Sequence, residues 1–391
     1  MKPRQTQAAQ RGAATLAITL VLVFVIFLGV GFANRSLVFE ARSATNQYRA
    51  AQAFEAAEAG LDWAVALMNR QTPVGDDCLP SSDGAATLFR ERVLSSMHAS
   101  CVLVDGAWSC HCPASGEPRA AETSGGTLSF SVRFAAAEQP GLLRLTSTGT
   151  RAEVNPTHAQ VQLLLGRVPG LDSPPAAALT VRGTPSFGSA LFAAHHTDPA
   201  SGGLTVHSGG TIDTASLRLV SAPGTPAAAS VLDQDADLSR MTPAQLFASL
   251  FRMDKTTWQS QPVVREVNCE NACDSALAQA VGSPVTNPLV WLQGGLRLNT
   301  PLQLGTPQRP VLLVVDGPVE LHAAAVIHGV IYSTASTWTD TAGASIHGAA
   351  ILEGDLQASG NTQIQHNAGV LAALHERTGS YARLPGSWRD F

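Results

Sequence analysis

The chain has 391 residues, 45% hydrophobic and only 14% charged, a composition that supports a packed core and excludes wholesale disorder. Twenty-five basic residues against thirty acidic give a net charge of −5, without the basic footprint of a general nucleic-acid binder. Thirty-four glycines and twenty-three prolines beside 6% aromatics suit a turn-rich β protein better than a helical bundle.

At the N-terminus, Lys2, Arg4 and Arg11 precede a stretch without charge from Gly12 to Asn34. Within it Ala13–Ala33 is predominantly apolar. As a helix it is about 31 Å long and matches a hydrocarbon core of roughly 30 Å. The basic residues in front keep the first dozen residues cytoplasmic and export the rest. The run exceeds the apolar core of a secretory signal, about 7–15 residues, and no small-x-small cleavage site follows it. No proline occurs between Pro3 and Pro73. Phe54, Ala57, Leu61, Ala64 and Met68 recur at steps of three and four, with Glu55, Glu58 and Asp62 off the stripe. That pattern buries one face of a helix. One helix is predicted over 13–70, in lipid over 13–33 and docked on a partner surface beyond. Tyr48, Phe54, Leu61 and Trp63 are the candidates for its buried seam.

This N-terminus resembles type IV pilins and pseudopilins, in which a short basic leader ends in glycine just before the apolar helix. The closer likeness is to PilX-type minor pilins, in Arg11-Gly-Ala-Ala-Thr-Leu and again in Ala51-Gln-Ala-Phe-Glu-Ala-Ala-Glu-Ala-Gly-Leu. It covers about 60 residues directly. The resemblance implies a leader over 1–12, cut between Gly12 and Ala13 by a prepilin peptidase that then methylates the new N-terminus. One departure matters. Most pilins carry a glutamate at the fifth residue after the cut, where it pairs with a neighbour's N-terminal amine; here that residue is Ala17. A buried carboxylate without its partner is costly in lipid, and a subunit at the tip has none above it to supply the amine. Ala17 therefore argues for a priming or tip role and against a major pilin.

From 71 to 169 the pattern turns to β. Leu128–Phe134 alternates apolar and polar residues, as a half-buried strand does. Gly141–Thr150 and Ala159–Gly166 follow it. By resemblance, three antiparallel strands packed on the helix make a small pilin head. Val168–Pro175, with three prolines, is a linker. Beyond it, over 170–391, Ile327-His-Gly, Ile346-His-Gly and Ile364-Gln-His recur at spacings of 19 and 18 residues among short apolar strands. Repeats of that length with glycine at corners suggest coils of a β-solenoid. A helical insert near 240–285 interrupts them, with Thr242 at its N-cap, Pro243 first in the helix, and Leu246, Phe247, Leu250 and Phe251 on its apolar face. The fold class is therefore α+β: a long transmembrane pilin-like helix, a small antiparallel β head, and a solenoid-like C-terminal region.

Six cysteines follow the membrane segment, an even number that favours disulfides in an exported region. Cys269 and Cys273 are close together and far from the rest, so they are expected to pair. Cys78, Cys101, Cys110 and Cys112 then pair among themselves in an undetermined order. The rival reading is zinc at Cys110-His111-Cys112, although zinc ligands are usually spaced more widely. His328, His347 and His366 recur with the repeat and are read as turn or stacked positions, and His195-His196 beside Asp198 as a polar loop. Asp340, Glu353 and Asp355 lie near the repeats without the placement that would line a catalytic groove. No nucleotide-loop, metalloprotease or nucleophile-elbow motif occurs in a usable context. The reading is a structural subunit, not an enzyme, without cofactor or metal, and no nucleic-acid partner is implied. By resemblance its partners are other minor pilins, the major pilin, the peptidase and the inner-membrane assembly platform. It would stand in the inner membrane with its head in the periplasm, then in the pilus. The alternatives are a type II secretion pseudopilin and a membrane-anchored solenoid adhesin or enzyme.

Overall fold

The computed structural model describes residues 11–83, 86–96, 98–113, 128–139, 141–152, 156–188, 191–282 and 288–391. The expected leader, up to residue 10, lies outside them. A single helix runs from Arg11 to Met68. No proline interrupts its hydrogen-bond ladder, and its 58 residues span about 87 Å. Every residue from Ala14 to Arg42 is exposed, and full burial begins at Ala53.

From there the helix lies on an antiparallel sheet. The three expected strands form its centre, as Leu128–Ala136, Leu142–Arg151 and Thr157–Val168. His98–Val104 and Ala107–His111 extend one side. Phe130, Val132 and Phe134 alternate toward the helix, where Ala57, Leu61, Ala64 and Met68 are buried with them. The approach is close because small residues allow it. A Cβ on Gly149 would stand 2.0 Å from the Ala53 carbonyl oxygen, and one on Gly60 would stand 2.3 Å from the Ser147 hydroxyl. Phe54 and Trp63 are half-buried, Trp63 against Phe89 and Phe130 at 5.3 and 5.4 Å. Tyr48 departs from the expected seam. It is 64% exposed, because it precedes the first helix residue that the sheet covers.

The region after 170 is built from parallel strands. Val264–Asn268, Leu289–Gln293, Val311–Asp316, Ala325–Ser333, Ser345–Leu352, Gln363–His366, Phe192–His196 and Leu217–Ser221 follow one another across one sheet. A second sheet orders Leu296–Leu298, Val319–Leu321, Thr337–Asp340, Leu356–Gly360 and Pro185–Ser186. The repeated tripeptides fall in register: Ile327, Ile346 and Ile364 are neighbours, as are His328, His347 and Gln365. Gly329 and Gly348 have φ of 156° and 149°. A Cβ on either would lie within 2 Å of a carbonyl oxygen on the preceding strand, so both positions need glycine. The stacking is not sequential. Leu179–Val181 pairs with Ala350–Leu352, and Ala193–His195 with Gln363–Gln365. The earliest strands of the region thus lie on its latest ones.

Between the two sheets sits the largest apolar core. The outer face of the long sheet is covered over much of its length by the helical insert and by Leu371 and Leu374 of the helix Ala368–Arg377. Thr242 and Gln245 form a capping box at the start of the helix Pro243–Phe251. Its four apolar residues are buried with Trp258, Trp291 and Tyr332. Covered on both faces, the sheet carries unbroken apolar strands such as Val311–Val315. The last residues then leave this region. Ser380–Arg383 and Arg389–Asp390 pair antiparallel with Thr157–Val168, adding an edge to the head sheet.

Candidate functional site

The candidate site is the long helix and what holds it. Its first half offers only side chains to its surroundings: Ile18, Val25 and Phe32 are 65%, 60% and 79% exposed. Among the described residues it is the one helix long and apolar enough to cross a membrane, and it fits a membrane anchor. Its backbone is satisfied within the helix, as a lipid environment requires. Gly12 and Ala13 stand in its first turn, and Ala17 one turn on, exposed.

The other half is clamped twice. The sheet covers the stripe from Phe54 to Met68. The C-terminal strap closes over the side: Asn69 Nδ2 donates to the Tyr381 carbonyl at 2.9 Å, and its Oδ1 accepts the Tyr381 N–H at 2.7 Å. Trp388 packs edge-on to Phe54 at 6.3 Å, and Arg383 pairs with Asp62. That ion pair is exposed on both sides and contributes under about 1 kcal/mol. Burial of Leu61 and Met68, at about 1.5–3 kcal/mol each, outweighs it in holding the helix. No alternation in residues 380–390 signals this strap.

The six cysteines form three disulfides: Cys269 with Cys273, Cys78 with Cys112, and Cys101 with Cys110. Cys101 and Cys110 are direct cross-strand neighbours. Cys110 and Cys112 therefore bond to different partners, which removes both thiols from a Cys110-His111-Cys112 metal site. Among the described residues no group of three or more His, Cys, Asp or Glu could hold a metal ion.

The remaining polar candidates have structural partners. Asp340 is buried and accepts the N–H groups of Ala342, Gly343 and Ala344 at 3.0, 2.8 and 2.7 Å. Glu353 accepts from Lys255 at 2.7 Å and from the Tyr332 hydroxyl at 3.0 Å, tying the insert to the sheet. Burial, then the Glu353 charge, pushes the Tyr332 phenol above its usual range. Asp355 Oδ1 accepts the Thr184 N–H at 2.8 Å. His328 and His347 stack at 4.8 Å. His366 differs from the expected position: its register partner is Gly348, and it stacks instead on His196 at 3.9 Å. His196 is further held by the Leu204 carbonyl and the Ser201 hydroxyl, at 2.7 and 2.8 Å. Asp198 caps the turn that follows by accepting the Ala200 N–H. That N–H, then the Ser201 hydroxyl, holds its carboxyl below the usual range.

Residues 11–62 match the family described as PilX N-terminal. Over this segment the chain is type IV minor pilin-like. The matched segment is the long helix as far as Asp62, and the head and the parallel sheets lie beyond it. The crystal structure of the competence-associated pilin ComZ from Thermus thermophilus aligns over 88% of this chain and 97% of its own. Sequence identity is 13% and the TM-score 0.26. No curated protein matches. Pilin-like proteins generally interact with other pilins during pilus assembly, and the PilX segment points to a structural role.

Proposed function

We propose that this chain is a minor pilin-like structural subunit that takes part in type IV pilus assembly, as a priming or tip subunit. The observation that carries the proposal is the bare apolar half of the long helix, exposed from Ala14 to Arg42, inside a PilX-type segment. Such a surface is covered by lipid before assembly and by the helices of other subunits after it. Ala17 supports the priming or tip position, since it offers no carboxylate to a neighbour's amine. The partners are then other minor pilins, the major pilin, the inner-membrane platform and the prepilin peptidase, with the head in the periplasm before assembly.

The C-terminal body is on this reading a β-solenoid carried by the head and displayed outside the filament. Parallel pairing in register, the register-matched glycines Gly329 and Gly348 at positive φ and two stacked sheets support it. Asp340, Glu353 and Asp355, the carboxylates nearest the repeats, are engaged by backbone N–H groups and by the insert, which supports display over catalysis.

Cleavage between Gly12 and Ala13 is the step that admits the chain to assembly. Gly12→Glu is expected to leave a membrane-retained precursor, whereas the wild-type chain extracted from membranes has Ala13 as its N-terminal residue by intact mass. An unprocessed wild-type chain would favour a membrane-anchored adhesin or enzyme.

A further inference from the structure

We propose that Arg35, Val38, Phe39 and Arg42 form a docking patch for one occupant, the long helix of a neighbouring pilin-like subunit that presents two carboxylates seven residues apart. The kind of partner rests on the pilin reading above. Arg35 and Arg42 are seven residues apart, and Val38 and Phe39 each stand three or four residues from both, so the four share one face of the helix. All four are exposed, Val38 by 51% and Phe39 by 73%. Among the described residues neither arginine has an ion pair. Glu40, the carboxylate between them, accepts from Ser36 at 3.4 Å on nearly the opposite side of the helix.

Lipid does not reach the patch. The apolar span ends at Ala33, and headgroups add about 5–7 Å beyond the hydrocarbon. Phe39 and Arg42 stand about 9 and 13 Å past Ala33 along the helix, while the chain's own sheet buries the helix only from Ala53. An exposed ring between two unpaired cations fits a protein surface that is apolar and anionic: apolar contact supplies affinity, and charge fixes the register. The matching pattern stands on this same helix. Glu55 and Asp62 are exposed, seven residues apart, and twenty residues beyond Arg35 and Arg42. Two parallel helices staggered by about 30 Å therefore set each arginine of the upper beside a carboxylate of the lower. Twenty residues also turn the helix to nearly its opposite face, so the contact joins unlike surfaces, the head-to-tail kind that builds filaments. In this chain Asp62 is already paired with Arg383 of the strap. The anionic half is engaged internally and the cationic half is open, which suits a subunit with a neighbour below it and none above.

The test is photocross-linking in host membranes, with a photoreactive phenylalanine analogue in place of Phe39 of the full chain. The expected result is an adduct with a pilin-like subunit whose long helix carries two carboxylates seven residues apart. In Arg35→Glu/Arg42→Glu the adduct should fall by roughly tenfold or more, and it should return when both carboxylates of that partner are changed to arginine in the same cells. Both substitutions lie on the exposed stretch below the head, so membrane retention should be unchanged; its loss would assign the arginines to lipid headgroups and overturn the patch. No protein adduct, an adduct with a second copy of this chain, or an adduct indifferent to charge reversal also overturns it. Intact mass of the chain from the same membranes tests the pilin reading separately. An unprocessed chain with a charge-dependent adduct keeps the patch and sinks the pilus role, and a processed chain without an adduct does the reverse.

Discussion

At the scale of single residues, the seam between helix and sheet depends on side chains that are missing. Gly149 faces the backbone of Ala53 and Ala57, and a Cβ there would lie 2.0 Å from one carbonyl oxygen. The neighbour is main chain, so no side-chain rotation relieves the clash and the helix must move. Gly149→Ala is expected to destabilise the head by about 1–3 kcal/mol, read from denaturant unfolding; an unchanged midpoint would mean that the helix is not seated this closely. Ala57 and Ala64 were legible as part of a helical stripe, but the smallness of Ala57 acquires meaning only once Gly149 is opposite. Tyr48 shows the converse: the periodicity marks a face and not where the sheet begins. His366 sets an acid limit. Burial, then the stacked His196, holds its pKa below the ordinary 6.5, against the opposing pull of the Pro175 carbonyl and Asp198. The unfolded chain therefore binds more protons as the pH falls below 6.5. The stability contributed by the neutral ring is full above that value and is lost between it and the lower folded-state pKa. The melting temperature is expected to fall as the pH drops from about 7.5 to about 5, and to fall less in His366→Gln. Equal slopes would contradict this origin.

At the scale of elements, the disulfides differ in what they close. Cys78–Cys112 spans a separation of 34 residues, and Cys269–Cys273 only 4. Loop entropy alone assigns them roughly 4 and 2 kcal/mol. Replacing the first pair by serine is expected to lower the unfolding midpoint more than replacing the second, with alkylation of the unreduced wild type labelling neither pair. The reverse order would mean that the long loop is already ordered without its bridge. Nearness in sequence makes Cys269 and Cys273 a natural pair. The other two bridges were illegible, because the register that aligns Cys101 with Cys110 depends on Ala107–His111, a short strand without alternation. The insert helix was legible for the opposite reason: Thr242 and Pro243 mark its start locally, and four apolar residues mark its face. The C-terminal strap was not, since residues 380–390 become strands only because the edge of Thr157–Val168 is there to pair with.

For the whole molecule, the parts read in order along the chain are not stacked in that order. The repeat at 327, 346 and 364 was legible because it reflects neighbouring strands. The return of Ala177–His196 onto the far end of those strands was not, as pairing across more than 150 residues leaves no local trace. The strap then ties residues 380–390 back to the long helix, so the large parallel-strand body is joined to the head at both of its ends. A body of this size would crowd its copies at every position along a thin fibre, and Ala17 removes the contact that orders repeated subunits in most pilins. A priming or tip subunit is therefore expected to be scarce. The direct measurement is quantitative mass spectrometry of sheared filaments. This chain should be present far below the major subunit, whereas near-equal amounts would contradict a priming or tip position and leave Ala17 without an explanation.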